Sequence, residues 1–418
     1  MRQRALRPIL PRSINADRCS VNRPIRSPVA RFAGRVGSLR NGRVDEIEQP
    51  EAGQQHLLGT LQVWKHVVPD GRTAVLPPHT HHPNPLVIGD SVVASVFSAR
   101  TIYAVHKASA EPQWSFTLDG YAGAQVVHDG GRVFAKSSGT LYCLDAARGT
   151  LHWSFSPLKG SETMYSAPTY HRGRVFIGDR AGMFHCLDAP SGKPLWSQKL
   201  SPRENNQANA TAAIHDEVVV MGCNAGVIVA YDIATGRMVW DQSIDGPCIS
   251  EVLSQGDTVF ATTSNSIYGL DAATGEIDFH KNWPSLDVRA VALCDDALIA
   301  VLHPGMGVTR RKRNDPPADL PKMVAFKGGL QLFEVEAAEF VVGIRFHQDS
   351  GLLYESRIGG LGIIDPATGR RLHNIYTDDS LFNCGLVDID DGQIYAMVSD
   401  MEGAIYCLRS PVAQAGTA

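Results

Sequence analysis

Residues Gly139–Trp153 read GTLYCLDAARGTLHW. An alternating run, Leu141–Leu144, ends in Asp145-Ala146. A turn carrying Arg148-Gly149 follows, and a second run ends in Trp153. The same grammar returns at Gly182–Trp196 (GMFHCLDAPSGKPLW), at Gly226–Trp240 (GVIVAYDIATGRMVW) and, without the tryptophan, at Ser266–Phe279 (SIYGLDAATGEIDF). Anchored on Asp145, the equivalents are His106, Asp188, Asp232, Asp271, Asp365 and Arg409. The spacings are 39, 43, 44, 39, 94 and 44 residues. The step of 94 holds one degenerate copy, centred on Met323–Phe326 with its anchor at Lys327. A period of roughly 40–50 residues with several short strands per copy is the signature of a propeller with one blade per repeat.

Each copy divides into four runs separated by Gly, Asp, Ser and Pro, as expected of antiparallel strands joined by tight turns. The Asp side chain is expected to accept from backbone N–H groups of the turn, with the following Gly supplying positive φ. The Trp on the outer strand is expected to space neighbouring blades. The last copy lacks its fourth strand, and an orphan run, Leu61–Val67 with Trp64, precedes the first. The expected fold is therefore an all-β, eight-bladed propeller of four-stranded antiparallel blades. Its ring is closed by an N-terminal strand in the last blade, which leaves no open seam.

The pattern G-x-[LIV]-[YF]-x-[LV]-D-A-x-[ST]-G-x-x-x-W resembles the repeat of pyrroloquinoline quinone (PQQ) enzymes and of their non-enzymatic, scaffold-type relatives. The likeness is strongest over residues 139–279 and spans most of 60–409. It implies an eight-bladed ring, in agreement with the independent count. It does not by itself imply the quinone, because the motif is one of blade packing.

The expected organisation is an Arg-rich, disordered tail (1–56), a propeller (57–410) with a basic inserted loop in blade six (302–322), and a short C-terminal tail (411–418). Net charge is −4, which gives no global attraction to nucleic acid. Residues 1–44 nonetheless hold eleven arginines against one acid, Asp17. The segment reads as a disordered tail, with an organelle-targeting presequence or a contact to an anionic surface as the alternatives. No short apolar run follows the first basic residues and no long one occurs anywhere. Neither a secretory signal nor a transmembrane helix is therefore expected, which argues against an outer-membrane lipoprotein role. Cys143, Cys186 and Cys407 share one repeat position with Ala104, Ala230 and Gly269. That is a slot for a small residue, far from its equivalents on a ring, so the thiols are expected to be reduced and the protein cytoplasmic.

The quinone dehydrogenases that the repeat resembles carry adjacent cysteines, a calcium or lanthanide site and a catalytic Asp. None of these can be matched here residue by residue, so no catalytic residue is assigned. The histidine cluster His79, His81 and His82 in PPHTHHPNP is a weak metal candidate, and its plainer reading is a solvated loop. Arg310, Arg311, Lys312 and Arg313 form a basic knot, which reads as a solvated insertion or as a docking loop for an acidic partner. Aligning the first strand of each blade places Asn84, Gln125, Ser166, Thr211, Glu251, Arg289, Arg345 and Asn383 at the axial mouth. Those residues either pair with one another and with channel water or hold an anionic or zwitterionic ligand. The five recurrent tryptophans read as packing residues, and Trp283 reads as a displaced substitute for the sixth. The departures from the pattern at His106, Lys327 and Arg409 are marked as places to look for function.

The reading that follows is a monomeric, non-catalytic scaffold without a cofactor, binding a protein partner or small ligand through one face, and neither nucleic acid nor a membrane span. The alternative is a PQQ- and Ca²⁺-dependent oxidoreductase with a diverged site. A glycan-processing propeller is a more distant rival, since no paired carboxylates stand at defined spacing.

Overall fold

The computed structural model describes residues 53–69, 84–96, 100–122, 125–137, 139–157, 166–203, 206–248, 250–304, 320–338, 340–377, 384–398 and 403–412. They form eight sheets, one per repeat, each with four antiparallel strands and one of them with an added fifth. Blade three is representative: Thr169–His171 innermost, then Arg174–Gly178, Met183–Asp188 and Pro194–Lys199. The two middle strands are almost wholly buried, while the outer strand alternates exposed and buried residues. That alternation is the period-2 pattern of a sheet covered on the faces and open at the rim.

Neighbouring blades are joined by a repeated contact. Each outer-strand tryptophan donates its indole N–H to the carbonyl just after the anchor residue of the next blade. The pairs are Trp114 to Ala146 at 3.0 Å, Trp153 to Ala189 at 2.9 Å, Trp196 to Ile233 at 2.9 Å and Trp240 to Ala272 at 2.9 Å. The anchor carboxylate holds the turn itself: Asp145 Oδ1 accepts from the N–H groups of Ala147 (3.0 Å) and Arg148 (2.8 Å). The turn glycine has two tasks. Gly236 has φ +69°, and the indole of Trp196 lies where its Cβ would be, with Cγ at 2.6 Å. The glycine therefore makes the turn and leaves a flat seat for the ring.

Where tryptophan is missing, other aromatic rings take its place. Phe279 occupies the slot in blade five and rests against Gly329. Trp283 is therefore not the substitute that the sequence suggests. It lies beyond the strand and packs on Phe326 at 6.1 Å between ring centres. Phe333 fills the slot in blade six against Gly369.

Ring closure follows expectation and adds a feature. Gln62–Val67 pairs antiparallel with Ala404–Arg409 and completes blade eight, with Trp64 bonded to the Lys107 carbonyl at 2.9 Å. In addition Gln54–Leu57, of which the sequence reading leaves all but Leu57 in the tail, pairs in parallel with Arg371–Tyr376 as a fifth strand on blade seven. Blade eight has no turn after Arg409 to cover the slot residue of blade seven, His373. His56 covers it instead, with Nε2 of His56 3.1 Å from Nδ1 of His373. Leu58 and Leu61 then enter the core between the two blades.

The three departures from the repeat have architectural roles. His106 Nδ1 stands in for the missing carboxylate at 3.3 Å from the Ala108 N–H. Lys327 closes a tight turn through Gly328-Gly329 and pairs with Asp296. Arg409 ends the third strand of blade eight, where the ring is closed from the other end of the chain.

Antiparallel order sends all connections between blades, and all connections between second and third strands, to one face. On that face end the strands Gln62–Val67, Leu151–Phe155, Pro194–Lys199 and Ala297–Pro304, each followed in sequence by a long interval before the next strand. The opposite face carries short turns such as 172–173 and 216–217.

Candidate functional site: the axial cavity

The innermost strands line a cavity of about 510 Å³. Its wall is fixed by register. The small-residue slot of each third strand pairs inward through the second strand to one innermost residue: Leu86, Val127, Thr169, Ala213, Leu253, Ala292, Arg345 and Asp388 in blades one to eight. Two residues earlier on each blade stand Asn84, Gln125, Ala167, Thr211, Glu251, Ala290, Gly343 and Leu386. This upper ring is polar on blades one, two, four and five and apolar or small on the others.

Five residues expected at the axial mouth therefore line the cavity: Asn84, Gln125, Thr211, Glu251 and Arg345. Ser166 does not, because it precedes Ala167 by one residue. It accepts from the buried Lys136 ammonium, with Oγ at 2.9 Å. Arg289 is the extra residue of a bulge between Val288 and Ala290, which turns it out of the ring. Further bulges in blades seven and eight displace the alignment there too. Counting along the chain cannot detect an inserted residue that leaves the hydrophobic pattern intact. Asn383, His79, His81, His82 and the basic knot Arg310–Arg313 lie outside the described residues.

The electrostatics differ from a simple ring of cations. Arg345 lies 3.1 Å from Asp388 on the next blade and also donates to the Val387 carbonyl at 3.3 Å. The other Asp388 oxygen accepts the Val87 N–H at 2.8 Å. One arginine and one aspartate thus connect blades seven, eight and one, and the guanidinium has its counter-charge. Sequence reasoning missed Asp388, which the Asp388-Ile389-Asp390 run does not distinguish from surface acids. Burial lowers the pKa of Arg289, against the opposing pull of Asp287. Burial, with the nearby Arg289 charge, pushes His303 down to about 4, where its neutral ring faces the Val341 N–H at 3.4 Å. Thr211 stitches blades: its hydroxyl accepts the Ala167 N–H at 3.0 Å and its carbonyl the Val252 N–H at 2.9 Å. Asn84 is 3 % exposed and its Oδ1 has no partner.

The quinone can be tested against this lining. Its three carboxylates need an excess of cationic donors, but the one described guanidinium in the lining, Arg345, is paired with Asp388, and the lining also carries the Glu251 carboxylate. No group of three or more His, Cys, Asp or Glu gathers as a metal cage among the described residues. The described lining does not fit a PQQ–calcium pair.

Comparison with known proteins places the chain. The closing strand and first five blades, with part of the sixth, match one family in overlapping segments, 62–167, 98–251 and 180–314, described as outer membrane protein assembly factor BamB. BamB of Yersinia pestis is 28 % identical over 159 residues, 36 % of this chain and 40 % of that one. A tetrathionate hydrolase of Acidithiobacillus ferrooxidans is 24 % identical over 326 residues, 69 % of this chain and 57 % of that one. The chain thus spans about half the length of these relatives. Among solved structures, BamB of Moraxella catarrhalis superposes with a TM-score of 0.62 at 18 % identity, covering 83 % of this chain and 99 % of that one. The quinohemoprotein alcohol dehydrogenase of Comamonas testosteroni superposes at 0.61 and 14 %, covering 83 % and 76 %. These two likenesses carry the fold alone. With its family match over most of the ring, an eight-bladed PQQ-like propeller with Trp–Gly stitches between blades, the chain belongs to the family described as outer membrane protein assembly factor BamB.

Proposed function

We propose that the protein is a non-catalytic scaffold that docks a protein partner on the face bearing the long connections. The observation that carries this reading is where described strands end: Gln62–Val67, Leu151–Phe155, Pro194–Lys199 and Ala297–Pro304 all end on one face, each with a long interval of sequence before the next strand. Rigid blades presenting long loops on one side form a common binding architecture. The relatives named as assembly factors support a partner-binding role. The same reading keeps the protein in the cytoplasm, supported by the buried, unpaired thiols of Cys143, Cys186, Cys223, Cys248, Cys294 and Cys407.

Affinity purification from the native cell tests it with two variants. Deleting Thr309–Asn314, from the interval between Ala297–Pro304 and Lys322–Lys327, should weaken recovery of the partner. Asp216→Lys/Glu217→Lys on the turn face should not. Equal recovery from both, or loss only in the turn-face variant, refutes the assignment of the face. Quinone absorbance and dye reduction after incubation with PQQ and Ca²⁺ would replace the scaffold reading with an oxidoreductase.

A further inference from the structure

Blade three departs from the repeat in two places at once, and the two departures meet. The outer strands of blades one, two and three carry a serine at the same register: Ser115 opposite Tyr103, Ser154 opposite Tyr142 and Ser197 opposite His185. All three serines are exposed. Only in blade three does an imidazole replace the tyrosine. There the residue after the second strand is changed as well, Asp179 standing where blade two has Ser137. The result is a connected line. His185 Nδ1 lies 2.8 Å from Ser197 Oγ, and His185 Nε2 lies 3.2 Å from Asp179 Oδ2. Asp179 Oδ1 is held in turn by the Met183 N–H at 2.9 Å. His185 and Asp179 are buried while Ser197 is open to solvent. A carboxylate only accepts hydrogen bonds, so the ring nitrogen facing Asp179 carries the proton and the nitrogen facing Ser197 offers its lone pair to the hydroxyl. That is the order of groups that activates a serine: nucleophile, base, and a third group orienting the base.

The strand adds a donor for the charge that an attack would develop. The Leu200 N–H donates to the Gly182 carbonyl at 2.9 Å. Bonded and non-bonded pairs alternate along an antiparallel ladder, which makes Ser197–His185 a non-bonded pair. The two side chains are therefore close, and the Ser197 N–H points to the open edge of the blade, since this strand is the outermost of its sheet. The Phe155 ring of blade two packs edge-on against His185, with ring centres 5.3 Å apart, and gives the pair an apolar neighbour.

We propose that Ser197 is a self-acylation site, which takes an acyl group from a small activated ester. Ser197 Oγ attacks the ester carbonyl while its proton passes to His185 Nδ1. The bond from Oγ to the carbonyl carbon forms, the bond from that carbon to the leaving oxygen breaks, and the proton goes from His185 to the departing oxygen. The Ser197 N–H is available to the developing oxyanion. The product is a covalently modified scaffold. The site lies between the outer parts of blades two and three, away from the axial cavity, and does not depend on the docking proposed above.

The test is incubation of the full chain with 4-nitrophenyl acetate, read as nitrophenolate released and as the acetylated residue found by peptide mass mapping. Ser197 should be acetylated with a matching burst of nitrophenolate. Ser154, at the same register but opposite a tyrosine, is the internal control and should react roughly 100-fold more slowly. Ser197→Ala should abolish the burst, and His185→Gln should slow it by about 100-fold or more. Asp179→Asn keeps the shape but can donate to Nε2, which moves the ring proton to Nδ1. Acetylation should fall by a similar factor, and the nitrogen shifts of the imidazole should report the exchanged tautomer. Circular dichroism confirms that each variant is folded. If a buried substitution prevents folding, Ser197→Ala and the comparison with Ser154 still decide, because both serines are exposed. Acetylation confined to other residues, equal rates at Ser197 and Ser154, or a rate unchanged by His185→Gln in a folded protein overturns the proposal. Partner recovery should be unchanged in Ser197→Ala, so failure of this site and failure of the docking face are seen apart.

Discussion

Replacing Gly236 by Ala tests the contact that spaces the blades. The residue has φ +69°, and its added Cβ would sit 2.6 Å from Trp196 Cγ and 2.7 Å from Cδ2. Trp196 is held by its hydrogen bond to Ile233 and packed on Phe176, Phe184 and Tyr231, so the ring cannot swing away. A left-handed alanine costs about 1–2 kcal/mol, and overpacking a fixed ring adds about 1–3 kcal/mol. Gly173→Ala is the control, because that residue has φ +79° and nothing within 4 Å of the added Cβ. It should cost only the backbone part, about 1–2 kcal/mol. Urea unfolding followed by tryptophan fluorescence and circular dichroism reads the difference from the midpoint at constant slope. A double-mutant cycle completes the test. In a Trp196→Leu background the Gly236→Ala cost should fall to that of Gly173→Ala. Equal costs for the two glycines in the wild-type background, or an undiminished Gly236→Ala cost without the indole, would refute the two-task account of the glycine.

Three further outcomes are expected. Burial pushes the Lys136 ammonium down to about 7 from its ordinary 10.5, with Asp179 opposing. The unfolded chain then binds more protons between these values, so stability should rise with pH from about 7 to 10.5, by as much as about 5 kcal/mol for this group. Lys136→Met should flatten that slope in denaturant titrations at several pH values. Glu355 is fully buried between Arg371, at 2.8 Å, and Arg357, at 3.3 Å. Glu355→Leu strands both guanidiniums and should cost about 3–5 kcal/mol, read from the urea midpoint. Removing residues 1–57 deletes the fifth strand and His56 but keeps Gln62–Val67, and should lower the melting temperature while leaving a folded ring. Removing 1–67 opens blade eight and should abolish cooperative melting.

The fold was legible because its repeat carries its own chemistry. Asp145, Gly149 and Trp153 are needed together at fixed spacing, since the carboxylate ties the turn and the turn glycine seats the indole of the blade before. Where the spacing holds, blades one to five, the aligned axial residues Asn84, Gln125, Thr211 and Glu251 stand where counting places them, Ser166 being one residue early. Where it fails, in blades six to eight, bulges at Arg289 and after Val341 and Cys384 shift the wall without a sequence mark. The partner of Arg345 was equally hidden, because an ion pair between Arg345 and Asp388 is made by ring geometry and not by any local pattern. The strand Gln54–Leu57 was missed for another reason. Its QQHL sequence is mostly polar and lies on an outer edge, so it shows no hydrophobic alternation.

The closing seam explains why the charged residues cluster where they do. Covalent continuity and the indole bond hold most successive blades, and between blades eight and one Trp64 makes the same bond to the Lys107 carbonyl, but between blades seven and eight the indole is missing and His373 holds its slot. In its place stand Arg345–Asp388 with the Val87 N–H, Lys107–Asp390 at 2.6 Å, and His56 against His373. Each has a partner; Arg345–Asp388 and Lys107–Asp390 join neighbouring blades, and His56 against His373 fixes the added strand to blade seven. That removes Arg345, the most attractive ligand-binding residue in the sequence, from the chemistry of the cavity. On the other side of the ring stand Asn84, Gln125, Thr211 and Glu251, which line the cavity. Thr211 is used between blades, but the buried Asn84 carbonyl oxygen is not. The pairing of Arg345 with Asp388, and of Thr211 with both of its neighbouring blades, shows that polar residues at the axis serve first to join blades, so a ligand-binding role for the lining must be sought in what those bonds leave over.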